Sequence, residues 1–138
     1  MSETYRAAVT PPRTADACTI HVKLRQMRPT ETRQVVIETT KATWKPAEPN
    51  GSLRLPLYLA PDTGESVTLE RMPPGTHLIE ADQPGGEEIF VLSGELSDRH
   101  GAYAAGTWIR NPAGFRSGLG SLSGATYWAK RGHLRPMS

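Results

Sequence analysis

The chain has 138 residues, of which 16 are basic and 14 acidic, for a formal net charge of +2. This length fits one domain with a real core, and the near-balanced charge gives no electrostatic case for nucleic acid. No apolar run approaches the roughly 20 residues of a membrane span, and a single Cys18 leaves neither an internal disulfide nor a CxxC metal motif.

Residues 1–17 read as a flexible tail, small and polar, with Pro11-Pro12. They lack the apolar core of an export signal, which sets the expectation of a cytoplasmic protein. Residues 18–138 are then expected to form a single domain. Cys18 to Met27 alternates weakly through Ile20, Val22 and Leu24, as a strand does. Further short β-type runs follow: Gln34 to Thr39, Leu53 to Ala60, Glu65 to Met72, Thr76 to Ala81, Glu87 to Leu96, Thr107 to Asn111 and Ala125 to Lys130. Turn residues separate most of them, as in Pro61-Asp62-Thr63-Gly64, Pro73-Pro74-Gly75 and Pro84-Gly85-Gly86. Ser117 to Gly124, rich in Gly, Ser and Leu, reads as a loop. No stretch makes a convincing helix. Strands at intervals of about 8–12 residues predict an all-β sandwich or barrel.

The richest segment is Pro74 to Gly114. It holds Pro74-Gly75, then Gly85-Gly86-Glu87-Glu88-Ile89-Phe90-Val91-Leu92-Ser93-Gly94, then Asp98, Gly101-Ala102-Tyr103 and Gly106. It closes on Trp108-Ile109-Arg110-Asn111-Pro112-Ala113-Gly114. This pattern resembles the cupin superfamily, and within it the cupin domain of ChrR-type anti-sigma factors. Trp44 and Val67 to Pro74 fit the upstream strands of that subfamily, and the core motifs fall within residues 74–117. The resemblance implies a single-domain jelly-roll β-barrel, the double-stranded β-helix.

It also implies where a site belongs. Family members carry His-x-His, then Glu, then a further His after the Pro-x-Gly turn. By spacing, the His pair falls on Ala81 and Gln83, the Glu on Glu87 and the last His on Ser117. Only Glu87 is a metal-ligand type, so the usual first-row metal site is expected to be degenerate, with no cofactor and at most a weakly held divalent ion. In a second frame Glu80, Asp82 and Glu87 are three carboxylates suited to a hard ion. Against that frame, Glu80 and Asp82 read as a solvated pair on the outer face. Gln83, Glu87, Ser117 and Ala81 are then the candidate ligand-binding residues of a polar pocket.

Three functions remain open. One is a small-molecule-binding or regulatory domain. Another is an enzyme, isomerase-, epimerase- or dioxygenase-like as the family allows, with Glu87 as acid/base or metal ligand and His77 as its candidate catalytic partner. The third is a homodimerisation module built on Val35, Ile37 and Leu53 to Leu59. ChrR-type proteins hold their sigma factor through a separate helical zinc-binding domain. The first 40 or so residues lack that domain's His and Cys ligands, so a sigma-factor partner is not implied.

Overall fold

A computed structural model describes residues 15–23, 27–48 and 51–134, with side chains except those of Leu78, Ile79 and Ser117. The chain separates into two compact units, residues 1–35 and residues 36–138. Among the described residues of the first unit there is no strand. A turn stands at Arg28 to Glu31, where the Glu31 carboxylate accepts the Arg28 amide at 2.8 Å. The strand expected from Cys18 is therefore absent over Cys18 to Lys23, and Leu24 to Gln26 lie outside the described residues.

The second unit is all-β. Its strands are β1 (Lys45–Ala47), β2 (Ser52–Leu59), β3 (Ser66–Met72), β4 (Thr76–Gln83), β5 (Glu87–Asp98), β6 (Gly101–Ala104), β7 (Trp108–Asn111), β8 (Phe115–Ser121) and β9 (Ala125–Arg131). They pair in the order β1-β2-β3-β9-β5-β8-β4, with β6 and β7 also on β5. Every pairing is antiparallel. The result is one long curled sheet, and β5 is its hub because its 12 residues are long enough to serve four neighbours.

Two expectations need correction. Gln34 to Thr39 is irregular, and its Val36 is 81% exposed, so apolar alternation there has no partner strand to bury it. Residues 117–121, read from the sequence as loop, belong to β8. The glycines misled because here they serve close approach. A Cβ on Gly118 would stand 2.7 Å from Glu80 Cγ across the β4/β8 ladder.

Alternation along the strands builds the core. Ile89, Val91 and Leu96 of β5 pack with Met72, Leu119, Ala125, Tyr127 and Ala129. Each fully buried Val, Leu or Ile contributes about 1.5–3 kcal/mol. Ile109 and Tyr103 close the edge of this cluster. The β5–β6 turn is fixed by Asp98, whose Oδ1 accepts the amides of His100 (2.7 Å) and Gly101 (3.0 Å) and the Tyr103 hydroxyl (2.9 Å). After β9 the chain folds back over the β4–β5 turn. Gly132 N donates to Gly86 O (3.1 Å) and Leu134 N to Gly85 O (2.7 Å). His133 Nε2 there is 2.9 Å from Glu88 Oε1, with both side chains buried.

Candidate functional site: a salt-bridged cavity on the inner face

The inner face follows from strand parity. On β3 the buried phase is Thr68, Glu70 and Met72; on β9 it is Ala125, Tyr127 and Ala129, continuing to Arg131. Register sets Asn111, Glu87 and Arg131 in one row across β7, β5 and β9. A second row runs through Val91, Tyr127, Glu70 and Arg54 across β5, β9, β3 and β2. Between them lie the small Ala129 and Thr68, opposite each other. That gap gives the long Arg131 side chain room to join the rows.

It does so with two hydrogen bonds. Arg131 Nε donates to Glu87 Oε2 at 3.2 Å, and Arg131 Nη2 donates to Glu70 Oε2 at 2.8 Å. Asn111 Nδ2 donates to Glu87 Oε1 at 2.8 Å, and Arg54 Nε donates to Glu70 Oε1 at 2.7 Å. Every carboxylate oxygen of the pair thus has a donor, which is what allows Glu87 to be only 1% exposed. Burial would raise the Glu70 pKa, but the guanidinium of Arg131, helped by that of Arg54, outweighs it and holds the carboxyl below its usual value of 4.5. Burial, with the Glu70 charge beside it, pushes the Tyr127 hydroxyl well above the ordinary phenol range. Burial opposes charge on Arg131, yet the carboxylates of Glu70 and Glu87 raise its pKa further still. The centre is therefore a neutral phenol beside a charge-balanced pair of ion pairs.

All of these groups except Asn111 line a cavity of about 490 Å3. Its polar side is Arg54, Thr68, Glu70, Gln83, Glu87 and Arg131, and Met72, Leu119, Pro56 and Leu59 supply much of the apolar side. Among the residues singled out from sequence, Ala81, Gln83 and Glu87 line it together. Ser117 pairs with Ala81 across the β4/β8 ladder. His77 is exposed and is not part of the cavity wall, so the structure does not set it beside Glu87. Arg131, Glu70, Tyr127, Asn111 and Arg54 escaped sequence reasoning. Their one signal was phase: Arg131 continues the Ala125, Tyr127, Ala129 alternation, which marks an inward charge.

The donor set does not fit a first-row metal. Ala81 has no donor atom, Gln83 offers a weak amide, and Glu87 is engaged at both oxygens by Asn111 and Arg131. The second frame is not assembled either. Glu80 and Asp82 are exposed, and strand alternation turns them away from Ala81 and Gln83. Glu80 pairs instead with Arg116 (3.0 Å) and Arg99 (3.6 Å). Among the described residues no three His, Cys, Asp or Glu are grouped to hold a metal ion. Nor is any helix there long and apolar enough to cross a membrane.

Comparison with solved structures supports the architecture. A candidate acetylacetone dioxygenase from Methylibium petroleiphilum PM1 is similar over 77% of this chain and 81% of its own, at 16% identity and a TM-score of 0.68. The acetylacetone dioxygenase of Acinetobacter johnsonii covers 84% of this chain and 79% of its own, at 13% identity and a TM-score of 0.58. The Rhodobacter sphaeroides complex of SigE with the anti-sigma ChrR matches 66% of this chain and 50% of that one, at 16% identity and a TM-score of 0.56. At such identities the likeness is one of fold, the cupin fold. No curated protein matches the chain. The family model of the ChrR cupin-like domain matches residues 32–135, most of the chain and every strand among the described residues, and the protein belongs to that family.

Proposed function

We propose that this cupin-like domain binds a small molecule in its inner cavity without a resident first-row metal. The observation that carries the reading is the engagement of Glu87: the one family-type ligand position is closed by Arg131 and Asn111. In this reading Gln83 contacts the ligand, Ala81 shapes the cavity mouth, Ser117 is its neighbour on β8, and Glu87 fixes Arg131. The dioxygenase neighbours share the fold, and among the described residues no three His, Cys, Asp or Glu are grouped to hold a metal ion. Elemental analysis of the untagged protein, after loading with Mn, Fe, Ni or Zn and desalting, is expected to find far less than one ion per chain. One tightly held ion per chain would overturn the reading.

Self-association is a second reading, supported by the exposure of Val35, Ile37 and Leu59. It predicts a dimer by light scattering, and a monomer at high protein concentration would dismiss it.

A further inference from the structure

The charges on the cavity wall do not cancel, and the remainder narrows what the cavity holds. Resting on the small-molecule reading above, we propose that the ligand is a monocation, an ammonium-type head on a hydrocarbon body, with Glu48 as the counter-charge of the head.

The wall carries three carboxylates, Glu48, Glu70 and Glu87, and two guanidiniums, Arg54 and Arg131. One negative charge is left over, and the bonding pattern says which. Glu70 accepts from Arg54 and Arg131, and Glu87 accepts from Arg131 and Asn111, so all four of their oxygens are taken. Glu48 is exposed, and among the described residues it makes no hydrogen bond or ion pair. The guanidiniums do not cancel it, because each already faces a buried carboxylate. A single positive charge is what this wall lacks.

Position then sets the orientation. Glu48 is open to solvent, so an ammonium beside it keeps part of its water. Deeper in, between carboxylates that are already paired, the same group would lose that water and gain no partner. An ammonium has three N–H donors and no acceptor, and Ser66 and Gln83 add acceptor oxygens to the cavity lining. The rings of Tyr58 and Tyr127 also line the cavity, and the face of an aromatic ring attracts a cation. Met72 and Leu119, 6% and 8% exposed, form the deeper apolar lining that takes the hydrocarbon body. A carboxylate head would add a second negative charge to a wall that already has one to spare. A neutral head would leave Glu48 as it was.

The test uses three probes of similar size, titrated calorimetrically into the full chain at low salt: 3-phenylpropylammonium, 3-phenylpropan-1-ol and 3-phenylpropanoate. The ammonium is expected to bind at least about fivefold tighter than the alcohol, and the carboxylate weakest of the three. Raising the salt to about 1 M should remove most of the ammonium's advantage, because its counter-charge is exposed. Glu48→Gln should weaken the ammonium about fivefold, leave the alcohol unchanged and leave the melting temperature where it was. Ala81→Trp should abolish binding of all three by filling the cavity mouth. If the alcohol or the carboxylate binds best, the ligand class is overturned while the pocket reading stands. If the ammonium binds best and Glu48→Gln leaves its affinity unchanged, Glu48 is not the counter-charge and the proposal fails. If no probe binds, or if Ala81→Trp leaves binding intact, the pocket reading itself falls.

Discussion

Glu87 is held as a buried counter-ion. The carboxylate sits on β5 between Asn111 of β7 and Arg131 of β9, and register rather than sequence neighbourhood brings the three together. Glu87→Gln keeps the shape and removes the charge, leaving Arg131 short of one buried partner. Breaking a buried pair from one side costs about 3–5 kcal/mol, so a large fall in the urea midpoint is expected. A change within about 0.5 kcal/mol would show that Glu70 alone satisfies Arg131. Arg131→Met should cost at least as much, because it takes the guanidinium from Glu87 and leaves Glu70 with Arg54 alone. None of these partners could be read from the local sequence around Glu87, since Asn111 and Arg131 lie 24 and 44 residues away.

Among the elements, β5 depends on a glycine for its contact with β9. Gly94 has φ +74°, and a Cβ there would lie 2.0 Å from Gly124 O. Gly106, at φ +91°, has open space where a Cβ would go. The two positions separate conformational strain from collision. Gly106→Ala should cost about 1–2 kcal/mol, and Gly94→Ala about 3 kcal/mol or more because backbone must move as well. Equal losses in chemical denaturation would remove the collision from the account. Gly106 lies in the turn before β7, where turn chemistry is local, whereas Gly94 lies inside β5. Strand β8 could not be read from the sequence. Its glycines resemble those of a loop until β4 is seen to pass close over Gly118. Gln34 to Thr39 failed in the other direction: its alternation suits a strand, and its Val36 remains in solvent.

For the molecule as a whole, acid is the informative stress. The Glu70 carboxyl is held below its usual 4.5, so the stabilisation it supplies is fully present above that pH. It is lost as pH falls through the lower value of the folded state, because protonation releases Arg131 and Arg54. Stability measured from neutral pH downward should therefore drop below about pH 4.5. Glu70→Gln should be less stable at neutral pH and lose less on acidification. Parallel acid slopes for the two proteins would assign the sensitivity to another carboxylate. Sequence by itself determined the all-β class, most strand positions and the absence of imidazoles at the expected site, because turn residues, alternation and residue identity are local properties. Tertiary structure alone decided that Glu70 and Arg131, 61 residues apart, meet at the floor of a cavity. Such a pair exists only once β3, β9 and β5 have closed in one register, and no local pattern records that register.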